Sequence, residues 1–283
     1  MSGWLRQHPV GGFLVLAFAG SWLAWTPPVV IPLVTGKSLP LAVEILLNQV
    51  ALFAGPFLAS LVMSRLTEGS LAGWKARLLG WRAPWSVYLM ALVVVPATLL
   101  AGLVLLPSSP AGEPRLSGPA AVIAPLVMAV GFVVGGPLQE EPGWRGYLLP
   151  RLQQRWHPLG ATVVLGVVWG MWHLPQFLVP QWSTPKESWL DVVAFVLFTV
   201  TASVPLSWVA NRGSTLLAVL GHNSLNWVLE VYGQVTGRQV TSLWPAVAAL
   251  TVLSVVLVGA TRGRLGCPAT SEPAGALVGD QPA

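Results

Sequence analysis

Apolar residues in this chain come in long, nearly unbroken blocks rather than at helical or alternating intervals. A helix needs about twenty such residues to cross a bilayer. Eight blocks reach that length, at 11–34, 41–64, 86–107, 119–139, 159–180, 190–209, 214–232 and 241–260. The pattern predicts an all-α polytopic membrane protein of about eight transmembrane helices enclosing a polar cavity. The bundle is expected over 1–261, followed by a Pro-, Gly- and Ala-rich tail, 262–283, expected to be disordered. Ala17-Phe18-Ala19 resembles a signal-peptidase site, but the apolar run continues to Val34, so the first block is expected to stay as an anchor. The longest polar stretch, 65–85, holds Trp74, Trp81 and Trp85 among basic residues, which suits a segment at the membrane interface.

Composition strengthens this picture. Hydrophobic residues make up 54% of the chain and charged ones 9%, against about 25% charged in soluble proteins. Charge then orients the spans. With the N-terminus inside, the inner segments hold Arg6, Arg65, Lys75, Arg77, Arg82, Arg145, Arg151, Arg155, Arg212, Arg262 and Arg264. The outer loops hold only Lys37, Arg115, Lys186 and Arg238. The positive-inside rule therefore predicts a multi-pass protein of the cell membrane with both termini in the cytoplasm. The net charge of +5 is met by anionic lipid, so the bilayer is the expected partner and no nucleic acid is. The single cysteine, Cys267, excludes an internal disulfide.

Ionisable residues inside a span cost about 2.5–3.5 kcal/mol each and usually mark function. Three clusters pass that filter: Glu140, Glu141 and Arg145; His173 with Trp169 and Phe177; and His222 with Asn223 and Asn226. Trp169, His173 and Phe177 are four apart and would form one helical stripe, with Pro175 loosening the helix beside it. Gly166 and Gly170 would let a neighbouring helix approach closely. His222, Asn226 and Glu230 fall on one face, Glu44 and Asn48 lie alone. Interhelical hydrogen bonding accounts for His173 or for the His222 stretch taken singly. Glu141 and Arg145, at an acidic-then-basic spacing of four, make an ion pair, which leaves Glu140 without a partner and fit to act as a general base. A carboxylate with an imidazole can activate water, and a second imidazole with an amide can stabilise an oxyanion. Glu140, His173 and His222 could equally ligate one divalent metal, zinc, with a position open for water. Both alternatives point to hydrolysis of an acyl bond.

These residues carry a resemblance. "EEPGWRGYLLPRLQ" resembles the EExxxR motif of the CAAX prenyl protease 2 and lysostaphin resistance protein A-like intramembrane endopeptidases, the CPBP or Abi family. "WGMWH" is similar to its second motif, with Trp169 where phenylalanine is commoner, and "HNSLN" to its third. The resemblance covers about 119–232. It implies Glu140 and His173 as the water-activating pair, His222 and Asn226 as the oxyanion site, and Glu141 in support. Arg145, Trp169 and Phe177 would be structural. No cofactor is firmly implied, and the resemblance leaves zinc and metal-free mechanisms both open. The substrate would be a membrane-associated protein or peptide. The eukaryotic branch trims prenylated CAAX proteins, whereas this Ala-, Val- and Arg-rich composition reads as bacterial, where such substrates are not expected. Two other functions stay in view, a non-catalytic immunity or scaffold protein and a proton-coupled transporter using Glu140.

Overall fold

The computed structural model describes residues 2–179, 182 and 188–267. Among the described residues the regular structure is helical throughout, without strands. Eight long helices follow one another as spans: Pro9–Thr35, Leu41–Glu68, Trp85–Leu105, Ala120–Gln153, Pro158–Leu178, Trp189–Arg212, Thr215–Thr236 and Trp244–Thr261. Seven are long and apolar enough to cross a membrane; the exception is the seventh, Thr215–Thr236. It has the length, at 22 residues, but His222, Asn223, Asn226 and Glu230 dilute its apolar character.

The largest departure from expectation is the fourth span. It does not stop at 139 but resumes after a break at 135–136 and stays helical to Gln153. Glu140 to Arg145 therefore lie within the bundle, not at the edge of an apolar segment. Gln139 holds the break together: its Oε1 accepts from the Gly136 N–H at 3.1 Å, and its amide donates to Gln49 and to the Val134 carbonyl. Prolines shape several spans by removing N–H donors, and wider π-type turns at Phe53–Phe57 and Trp144–Leu148 lie beside Pro56 and Pro142. The first of these turns docks on the helix Pro137–Gly143 that leads into the second. A Cβ on Gly143 would fall 2.6 Å from the Pro56 carbonyl oxygen, so only hydrogen fits there.

The ends of the bundle differ in charge. One end gathers the N-terminal residues, the segment 69–84, the turn 154–157, and the turn 213–214 where Ser214 donates to the Gly80 carbonyl. The stretch after the eighth span also packs there: Leu265 is buried, and its carbonyl accepts from Asn211 at 2.8 Å. Six residues of the tail expected to be disordered are thus folded onto the bundle; 268–283 lie outside the described residues. The other end joins the segment 106–119 to 237–243, with Ser108 accepting from Thr241. Arg145 belongs to neither end, being buried mid-bundle. The other ten inner cations lie at the first end, and Lys37, Arg115 and Arg238 at the second; Lys186 lies outside the described residues. In the segment 65–85, Trp81 and Trp85 are exposed as an interfacial role requires, while Trp74 turns inward and donates to Ser60 Oγ at 2.9 Å.

The expected close approach at Gly166 and Gly170 is present, with the sixth span as the neighbour. A Cβ on Gly166 would lie 2.5 Å from Val200 Cα, and one on Gly170 2.6 Å from Thr199 Oγ1. Gly166→Ala should therefore lower the thermal midpoint of the detergent-solubilised protein, because the obstacle is backbone and overpacking costs about 1–3 kcal/mol. Gly160→Ala, where nothing lies within 4 Å, should leave it unchanged.

Candidate active site

The second half of the fourth span, the end of the fifth and the middle of the seventh bring the predicted residues together. Glu140, Trp169, His173, His222 and Asn226 line one cavity of about 790 Å³. Glu140, His173 and His222 are each more than nine-tenths buried.

Glu140 stands in the first turn of the helix that restarts at Pro137, where the helix dipole favours a carboxylate. It is not partnerless as the sequence suggested: its Oε2 accepts from the Trp169 indole N–H at 2.7 Å. Its Oε1 faces Gly136. A Cβ there would be 3.4 Å from this oxygen and 3.8 Å from Asn226 Nδ2, so the carboxylate and the amide converge over the same glycine.

Glu141 points the other way, into a fully buried cluster. Its Oε1 accepts from Arg145 Nη1 at 2.8 Å and from His222 Nδ1 at 2.9 Å. The expected ion pair is present, but it extends to His222, a contact that spacing along the chain does not reveal. Arg145 continues through Nη2 to Ser203 Oγ at 2.8 Å, and its guanidinium lies over the Trp169 ring, 4.4 Å from the centroid. Neither side chain of the pair is exposed. Buried charges of this kind persist only when paired and hydrogen-bonded.

The two imidazoles are fixed by their Nδ1 atoms. His173 Nδ1 donates to the Trp169 carbonyl at 2.8 Å, because a carbonyl can only accept. A neutral His173 therefore presents an Nε2 lone pair. His222 Nδ1 donates to Glu141 in the same way. Trp169 is the common neighbour, edge-on to both rings with centroids 6.0 and 5.0 Å away. The stripe continuing to Phe177 is not a single helix: the α-helix ends at Trp172, and a 3₁₀ turn, Leu174–Leu178, follows around Pro175. Phe177 reaches the site indirectly, packing on Phe195, which packs on His173.

Other polar residues join them, and Glu230 does so on the face it was expected to share with His222 and Asn226. Asn48 and Glu230 line the same cavity; Asn48 accepts from Trp25 Nε1 at 3.0 Å and Glu230 from Gln234 at 2.7 Å. Asn223 is buried away from the cavity and donates to the Ala129 carbonyl, tying the seventh span to the fourth. Gly136, Gln139 and Ser203 escaped sequence reading, since none is unusual by type or spacing. Among the described residues no three His, Cys, Asp or Glu side chains are arranged to hold a metal ion, so the Glu140, His173 and His222 set does not form a ready cage.

Residues 122–228 match the family described as type II CAAX prenyl endopeptidase Rce1-like. That interval holds every residue just placed around the cavity from Gly136 to Asn226. Over that segment, somewhat less than half of its length, the chain is similar to this family. It is also similar to the CAAX prenyl protease 2 of Methanococcus maripaludis, 32% identical over 92 residues. The matched stretch is 31% of this chain and 34% of the relative, so it spans about a third of that protein's length.

Arg145→Ala should cost about 3–5 kcal/mol, because it leaves Glu141 charged and buried without its counter-ion. A drop in folded yield and in the thermal midpoint checks this. Arg145→Lys should recover part of the loss, keeping the charge but not the second hydrogen bond or the stacking on Trp169.

Proposed function

We propose that the protein is an intramembrane endopeptidase that hydrolyses peptide bonds of membrane-associated proteins or peptides. The observation that carries the reading is the convergence of the Glu140 carboxylate, the His173 Nε2 and the Asn226 amide on one buried cavity. Water entering between Glu140 and His173 loses its proton to Glu140 as its oxygen attacks the scissile carbonyl. The tetrahedral oxyanion then accepts hydrogen bonds from Asn226 Nδ2–H and from His222. His222 already donates Nδ1–H to Glu141, so a ring that also donates from Nε2 carries both protons. Glu141 accepts from that ring directly, and Arg145 holds Glu141 in place through its own bond to the same oxygen. Glu140 finally passes its proton to the departing amine. None of these steps passes through a metal.

A scaffold or immunity protein would need neither a carboxylate held by an indole nor a carboxylate-backed imidazole. A proton-coupled transporter would need polar groups reaching both ends of the bundle, whereas the polar path here runs to one end only. By the positive-inside rule the reading puts the protein in the cell membrane with the basic end of the bundle, and with it both chain termini, facing the cytoplasm.

Cells carrying the wild-type protein should contain membrane-derived peptide fragments that are missing in cells carrying Glu140→Ala, as read by quantitative proteomics; identical fragment profiles would sink the proposal. With a cleaved peptide in hand, Glu140→Gln should be nearly inactive and Asn226→Ala should keep activity lowered roughly 10²–10³-fold, the cost of one oxyanion donor. Chelators should change little; activity lost to a chelator and restored by zinc would require a metal-based scheme instead.

Trp169→Phe keeps an aromatic ring, though a smaller one, and removes the N–H to Glu140. A hydrogen bond to a charged group contributes about 1.5–3 kcal/mol, so kcat should fall roughly ten- to a hundredfold while KM hardly moves, and the thermal midpoint should fall as well because the ring is buried under Arg145. A variant with unchanged kcat would reduce Trp169 to packing.

A further inference from the structure

The cavity is bounded unequally towards the two ends of the bundle. Towards the basic end the site is closed beneath by the Glu141–Arg145–Ser203 cluster and by Trp144, Tyr147, Leu148, Leu149 and Leu206, each at most 1% exposed. Towards the other end the cavity wall continues along the seventh span through Leu229, Glu230, Gly233 and Gln234. It then reaches Arg115 and the segment Gly237 to Thr241, where Arg115, Gln239 and Thr241 are exposed. These residues belong to the end that carries only Lys37, Arg115 and Arg238 among the described cations, against ten at the closed end.

We infer that the cavity opens on the extracytoplasmic face of the membrane and takes its substrate from that side. The inference rests on the endopeptidase reading for what the occupant is, and on charge and closure for where it enters. Charge asymmetry of ten to three in short loops is a strong orienting signal. The closure is physical: a peptide coming from the basic end would have to displace a buried ion pair and an aromatic layer in which Trp144 packs edge-on against Phe13 and Trp172. The mouth sets the chemistry of the occupant. Its rim is polar, with Arg115, Arg238 and Gln239, while Phe132, Phe195 and Leu229 line the walls below. That arrangement suits an extended, apolar peptide segment of a membrane-anchored protein, exposed at the extracytoplasmic surface.

Cysteine accessibility tests this without any assay of hydrolysis, so its outcome and that of the endopeptidase reading are independent. The native thiol, half-buried and with its pKa raised by burial, is first removed as Cys267→Ser. Single cysteines then replace Gln239 at the mouth, Leu229 in the wall and Ala76, which is exposed on the helix Ala72–Leu79 at the basic end. Sealed spheroplasts are treated with a small, charged, membrane-impermeant methanethiosulfonate. Gln239→Cys and Leu229→Cys should react in sealed spheroplasts, and Ala76→Cys only after lysis. The opposite labelling of Gln239→Cys and Ala76→Cys would overturn the orientation. A Leu229→Cys that reacts only after lysis, or not at all, would overturn the opening. Should Leu229→Cys fail to accumulate, Gln234→Cys on the same wall gives the same reading.

Discussion

A carboxylate and a guanidinium, both without solvent, sit at the centre of this bundle and the rest of the site is arranged around them. Glu141 and Arg145 belong to adjacent turns of one helix, and in low dielectric neither would be tolerated alone. The carboxylate oxygen that takes Arg145 also accepts from His222 of the seventh span, and the second guanidinium nitrogen donates to Ser203 of the sixth. The flat face of the same guanidinium is covered by Trp169 of the fifth. Four spans are thus located by one ion pair. The indole it positions then reaches across to Glu140, so the neighbouring carboxylates have separate duties: one organises the bundle and the other faces the cavity.

Packing brings these spans near enough for such short bonds. Where the sixth span crosses the fifth, Gly166 and Gly170 admit its backbone almost to contact, and Gly143 does the same for the kink at Pro56. In a membrane, where burial of apolar surface gives helices little reason to associate, close backbone approach and interhelical hydrogen bonds supply the attraction. Thr199 Oγ1 donating to the Gly166 carbonyl, at 2.9 Å, is one such bond exposed by a missing side chain.

How much of this was readable without a structure follows from what each signal depends on. The spans were readable because membrane crossing sets a length and a composition that any twenty residues either meet or fail. The break before Glu140 hid the true length of the fourth span, since Gly135, Gly136 and Pro137 look like a terminus and the helix restarts beyond them. Glu140, His173, His222 and Asn226 were readable as costly residues in apolar surroundings. Their partners were not, because Glu141 meets His222 across 81 positions and Trp169 meets Glu140 across 29, and no local spacing encodes those contacts. The end of the bundle towards which the cavity runs was not legible for a related reason. Loop charges tell which end is cytoplasmic but not how deep along each helix the polar residues fall, nor which end of the bundle is filled with Trp144, Tyr147 and Leu148.

The seventh span unites these observations. It alone among the eight lacks the hydropathy of a membrane helix, and the residues that deprive it of that character are those that line the cavity or tie the helix to its neighbours. His222 meets the ion pair, Asn226 lines the cavity beside Gly136, Asn223 and Trp227 bind carbonyls of the fourth span, and Glu230 continues the polar wall towards the mouth. A helix of this composition is acceptable inside a membrane only when other helices or water cover its polar face. Its neighbours cover the lower part and the cavity borders the upper part, so the direction in which the polar face runs along this helix is also the direction in which the cavity opens.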